Sequence, residues 1–192
     1  MKLKVVGIDP SLKNFGFAIG TIDVETLAVE VQGLVLAKTE PDKKSAKVVR
    51  KNSDDLERAR ILHTALQEHC RDADLAIAEV PVGSQSARAM ASYGVCVGVL
   101  SSCPIPLIQV TAFEVKLAGF GNKYATKEEM IGWATQAYPV APWLTVKRAG
   151  KLEFTAANEH LADAVAAIHA GIKTDQFQQV LAMHRAMLRR VA

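Results

Sequence analysis

The sequence predicts a mixed α/β domain, a five-stranded sheet flanked by helices. Three observations carry that expectation. Three strand-like segments come first with short connections, helical and strand patterns then alternate, and no repeat, low-complexity run or separating linker interrupts the 192 residues. Hydrophobic residues make up 49% and charged residues 22%, the balance of a globular chain rather than a disordered one. A single domain over 1–192 is expected, ending in an amphipathic helix from about residue 174.

Val5-Val6-Gly7-Ile8 is a short apolar run, Phe15 to Ile19 is a second, and Val29 to Leu36 alternates as a half-exposed strand does. Their short connections predict an antiparallel meander. Lys38 to Asn52 is polar, basic and without a period, which reads as a loop or mobile arm. Ser53 is placed to N-cap a helix in which Leu56, Ala59, Leu62 and Leu66 recur at helical spacing. Asp74 to Val80 is a compact apolar strand that carries Glu79 at its end and is followed by Pro81.

Ser86 to Leu100, rich in Ala and Gly, reads as a buried helix packed closely on the sheet, and Pro106 to Val110 as a short strand. Thr111-x-x-Glu114 and Thr126-x-x-Glu129 are capping boxes, each opening a helix. Trp143 to Thr155 reads as a hairpin with Lys147, Arg148 and Lys151 at or near its tip. Asn158 is placed to cap a helix whose core stripe is Leu161, Val165, Ile168 and Ile172. Gly171 marks where that helix stops, and Thr174 caps the last one.

The formal net charge is only +3, yet six basic residues fall between Lys38 and Lys51 against Glu40 and Asp42. The tail adds Lys173, Arg185, Arg189 and Arg190 against Asp175. Such patches meet a polyanion locally. Cys70, Cys96 and Cys103 have neither paired nor metal-type spacing, as expected of buried thiols in a reducing compartment. With no leader-like segment and no apolar run of spanning length, the expectation is a cytoplasmic protein with no membrane partner.

Three places carry chemistry. Asp9 ends the first strand, Glu79 ends the fourth, and Asp163 lies on the helix after Asn158. A carboxylate at the end of an apolar strand is costly unless paired, and a capping role accounts for one such residue more readily than for two. On the helix, His160 shares a face with Asp163 at i, i+3, and Glu159 shares one at i, i+4, so either is open as the partner. Clustered carboxylates with one imidazole suit Mg²⁺, with Mn²⁺ as a substitute, better than zinc. His63, His69 and Cys70 sit on one helix without the geometry for a shared zinc, and the two histidines read as surface groups.

Gly7-Ile8-Asp9-Pro10-Ser11, Ala78-Glu79 and His160-Leu161-Ala162-Asp163-Ala164, in this order, resemble the three acidic motifs of RuvC-type Holliday junction resolvases, members of the RNase H-like superfamily. The resemblance runs from Lys4 to about Gly171. It implies an RNase H-like fold, with Asp9, Glu79, His160 and Asp163 as metal-binding catalytic residues. It also implies a homodimeric, Mg²⁺-dependent endonuclease of recombination and repair that nicks opposing strands of four-way junction DNA. Phe113-Glu114-Val115-Lys116 and Gly119-Phe120-Gly121, followed by Lys127, resemble the segment that carries the family's two important lysines. Lys116 and Lys127 are thereby candidate DNA contacts. The competing readings are a nuclease for other branched DNA, a non-catalytic junction-binding protein, and a sugar kinase or actin-like ATPase, which needs a second phosphate-binding lobe.

Overall fold

Three segments of predominantly apolar residues build the first half of the sheet. In the computed structural model, which describes residues 1–41 and 51–191, β1 (Lys2–Asp9) pairs antiparallel with β2 (Asn14–Asp23), and β2 with β3 (Val29–Lys38). Most of the basic stretch, residues 42–50, lies outside the described residues. Helix α1 (Lys51–Cys70) returns the chain to β4 (Leu75–Glu79), parallel to β1. Helix α2 (Ala87–Leu100) leads to β5 (Leu107–Val110), parallel to β4, so the sheet order is β3-β2-β1-β4-β5. Then come α3 (Ala112–Gly119), α4 (Lys127–Ala137), a separate hairpin of β6 (Thr145–Arg148) and β7 (Lys151–Phe154), α5 (Asn158–Ile172) and α6 (Asp175–Val191).

Because strand side chains alternate, the sheet has two cores. Val5, Ile22 and Ile77 face α5, where Leu161, Val165 and Ile168 are fully buried. Val6, Ile8, Phe15 and Phe17 face the other way, onto Leu62 and Leu66 of α1 and the end of α2. Helix α5 lies against the central strands at backbone distance. A Cβ on Gly7 would stand 2.0 Å from the Ala164 carbonyl oxygen, and one on Gly16 would stand 2.3 Å from that of His160. Two missing side chains therefore set how deeply α5 sits.

The five strands, both capping boxes and the basic hairpin fall where the sequence predicts them. In the hairpin tip, Ala149 (φ 46°) and Gly150 (φ 82°) both take the left-handed conformation of a type I′ turn. Three expectations are corrected. Ser53 stands inside α1, which begins at Lys51, and so is not its cap. Helix α2 is not buried, because it packs on α1 and only Cys96, Val99 and Leu100 are fully covered; Gly94 and Gly98 face open space. Asn158 does not cap α5. Its buried amide instead clamps one residue of the incoming chain, accepting from Leu144 N–H (2.9 Å) and donating to Leu144 C=O (2.8 Å). Ala157 takes the cap position without a side-chain bond.

All three cysteines are free. Cys70 and Cys103 interact across the fold, a proximity their spacing conceals; it pushes the Cys70 thiol up and the Cys103 thiol down to about 7. Among the described residues, no helix is long and apolar enough to cross a membrane.

Candidate active site

Asp9 and Glu79 arrive together because their strands are parallel neighbours. Ile8 stands opposite Ala78, so the next residue of each strand carries a carboxylate at the same end of the sheet. Asp9 follows the parity of Val5 and Gly7, and Glu79 that of Leu75 and Ile77, which turns both toward the α5 face. The close approach at Gly7 and Gly16 then brings His160 onto Asp9 and Asp163 within electrostatic reach of it. The structure thus gathers the strand-end residues and the helix pair that the sequence singles out.

The ring of His160 reaches Asp9, with Nδ1 2.5 Å from Oδ2. On its other side Nε2 lies 3.2 Å from Asn14 Nδ2 and 3.4 Å from Glu159 Oε1. With Nδ1–H donating to Asp9, the neutral ring accepts from the Asn14 amide at Nε2. Glu159 is otherwise engaged: Lys127 Nζ lies 2.8 Å from its Oε1 and 2.7 Å from its Oε2. Of the two partners for Asp163 that helix spacing left open, His160 is bonded to Asp9 and Glu159 to Lys127.

Asn14 escapes a motif reading, since it is the first residue of β2, just past the β1–β2 turn, and carries no motif of its own. That turn is tied from several sides. Asn14 N–H donates to Ser11 Oγ at 3.0 Å, and Ser11 Oγ donates to Asn14 C=O at 2.7 Å. The Leu12 carbonyl accepts from Thr39 Oγ1 and from buried Arg58 Nη2 (3.2 Å), while Arg58 Nε donates to Thr39 at 2.9 Å.

Burial and mutual repulsion raise the proton affinity of the carboxylates. Glu79 is pushed up to about 7, first by burial and then by Asp9, against a counteracting pull from Lys116. Asp163 is pushed up to about 8 by burial and by both Asp9 and Glu79, with His160 and Lys116 opposing. Asp9 is raised by burial despite its bond to His160. For His160, burial disfavours the charged ring, but the bond to Asp9 and the surrounding carboxylates outweigh it and the net direction is up. Lys116 and Lys127 both stand within electrostatic reach of these acids.

Among the described residues, no three His, Cys, Asp or Glu side chains stand close enough together to hold a metal ion as they are. The chemistry of the cluster nevertheless fits a hard divalent cation. Asp163 Oδ1 is buried and without a hydrogen-bond partner, and an orphaned carboxylate oxygen among like charges is costly without a cation beside it. Three carboxylates and one imidazole supply oxygen-rich ligation suited to Mg²⁺ or Mn²⁺.

No protein-family model and no curated protein sequence matches the chain. Solved structures do. RuvC from Thermus thermophilus in complex with a Holliday junction substrate is similar over 88% of this chain and 92% of its own, with a TM-score of 0.60 and 19% identity. A second Thermus thermophilus RuvC structure gives 0.59 and 20% over the same shares. A Fowlpox virus resolvase solved with Holliday junction DNA matches 88% of this chain and 95% of its own, at 0.43 and 13%. Sheet order, strand directions and the extent of the two RuvC matches lead to one structural conclusion: this chain has the RNase H-like fold of RuvC.

Proposed function

We propose that this chain is a metal-dependent endonuclease that resolves four-way DNA junctions, acting as a homodimer that nicks two opposing strands. One observation carries the reading: Asp9, Glu79, His160 and Asp163 lie within electrostatic reach of one another at the end of two parallel strands, in the fold of a RuvC that was solved with a Holliday junction. Asp9, Glu79, Asp163 and His160 are the residues that would hold the ion, Mg²⁺ or Mn²⁺. When bound, the ion activates water and stabilises the leaving oxygen of phosphodiester hydrolysis.

The chain's own residues do the rest. His160 is oriented by Asp9 and Asn14, and its neutral ring has a nitrogen able to take a proton. Lys116 and Lys127 offset carboxylate charge and contact phosphates. Lys147, Arg148 and Lys151 on the exposed hairpin extend the basic surface toward DNA. The second copy docks on the α1–α2 face, where a groove of about 780 Å³ is lined by Leu56, Ala59, Val95 and Gly98. Leu56 is exposed there, and a symmetric pair of sites matches the two-fold symmetry of paired nicks. The nuclease domain comprises 1–192, with α6 as its C-terminal helix.

The test is a labelled immobile four-way junction incubated with and without Mg²⁺ beside linear duplex of the same length. Junction-selective nicking that needs the ion, and that Asp9→Asn or Glu79→Gln abolishes while binding persists, is expected. Binding without cleavage under any divalent ion would make the chain a junction-binding protein instead.

A further inference from the structure

At the edge of the site, next to the two lysines, stands an aromatic pair that nothing in the fold requires. Phe113, in the first turn of α3, is 59% exposed, and Tyr124, in the loop before α4, is 70% exposed. Their rings meet edge to face, 6.2 Å between centroids at 76°. Lys123 Nζ lies 5.0 Å from the Tyr124 ring centroid and 5.9 Å from that of Phe113. Two large rings held in water cost free energy, and a cation over both turns them into a positively charged apolar surface.

The exposure is imposed by the loop. Gly121 at φ 83° turns the chain, Tyr124 N–H donates to Asn122 Oδ1 at 3.0 Å, and the next residue, Ala125, is buried with its N–H bonded to Asn122 C=O at 3.0 Å. Tyr124 is thus held outward between two anchored neighbours. Two neighbouring acids are engaged by the backbone: Glu114 accepts from Thr111 N–H and Oγ1, and Glu129 accepts from Thr126 N–H, in the two capping boxes. Lys116 lies three residues beyond Phe113, and Lys127 three beyond Tyr124, and both reach the carboxylate cluster.

We infer that Phe113, Tyr124 and Lys123 form a stacking platform for unpaired bases of a DNA strand whose phosphates run past Lys116 and Lys127 into the site. Every base presents a π-face, so aromatic stacking is tolerant of sequence, while the lysines hold the backbone. Paired bases inside a duplex cannot reach such a surface. The platform therefore reads unpaired or splayed nucleotides and not helical arms. This rests on the nuclease reading above and adds to it the part of the substrate that is single-stranded in character.

The experiment uses the full chain with a single-stranded oligonucleotide, a linear duplex and a four-way junction, each carrying 2-aminopurine, at the exchange point in the junction. The wild type should change 2-aminopurine fluorescence in the single strand and the junction but not in the duplex. Phe113→Ala and Tyr124→Ala should abolish that change and weaken single-strand binding roughly 10-fold, leaving duplex binding unaltered, whereas Tyr124→Phe should retain both. Variants that bind single strands as the wild type does, or lose single-strand and duplex binding equally, would overturn the platform. Mg²⁺-dependent junction cleavage by the wild type, measured on the same samples, separates the two ideas. Cleavage with unaltered fluorescence in the variants overturns the platform alone, and absence of both cleavage and DNA binding overturns both readings.

Discussion

Glu79 and Asp163 hold protons well above the ordinary carboxylate range, and that has a sign. A carboxylate raised in the folded chain makes the unfolded state lose its proton first, so stability is full below the ordinary carboxylate pKa and falls as pH rises through the folded value. His160, also raised, works in the same direction. The melting temperature without divalent ions should therefore drop between about pH 4.5 and about pH 8, the span over which Glu79 (about 7) and Asp163 (about 8) titrate. Added Mg²⁺ should raise it far more at the alkaline end than at the acid end. A Mg²⁺ shift that is equal across the range, or absent, in calorimetry would show that these carboxylates do not hold the ion. A second prediction separates neighbours on α5. His160→Ala should lower junction cleavage by at least two orders of magnitude, as loss of a general acid–base group does, while Glu159→Gln, which frees only Lys127, should be mild. Single-turnover rates of the two variants rank them directly, and the opposite order would move the role to Glu159.

At the scale of elements, the sheet–helix contact is where a single atom matters most. Gly7→Ala places a Cβ against the carbonyl oxygen of Ala164, a main-chain atom with no rotamer to yield. The expected cost is roughly 1–3 kcal/mol or more, and α5 must lift to relieve it, carrying His160 and Asp163 off Asp9. Urea unfolding and Mg²⁺ titration of this variant should show both losses together; a fold and an ion affinity like the wild type's would mean that the helix is not seated by these glycines. Much of this was legible in the sequence. The strand-end acids, the helix spacing of residues 160 and 163, and both capping boxes are local patterns with a fixed geometric meaning. What was not legible is what depends on the partner across space. Asn158 looked like a cap because its type favours caps, yet tertiary bonds to Leu144 were available and took it. Helix α2 looked buried because Ala and Gly suit close packing, but composition does not say whether a covering element belongs to the same chain. Cys70 and Cys103 lie far apart in sequence and meet only once the sheet is formed.

For the whole molecule, the open α1–α2 face and the two-fold symmetry of paired cutting lead to the same expectation. Sedimentation should find a dimer at micromolar concentration, and Leu56→Glu, which sets a charge in the α1–α2 groove, should shift it toward monomer and uncouple the two nicks. A chain that stays monomeric both free and on junction DNA would count against the symmetric arrangement. The seating of α5 has one further consequence, for how this sequence can change over time. What a Cβ at Gly7 or Gly16 would meet first is a carbonyl oxygen in each case, and every amino acid supplies that atom. Substitution along the helix leaves the touching atom in place, while substitution at either glycine removes the room for it. A deep mutational scan should therefore be lopsided. Positions 7 and 16 should accept almost nothing, although neither carries a functional group, and the distance between strand and helix should survive wide turnover of the side chains around it.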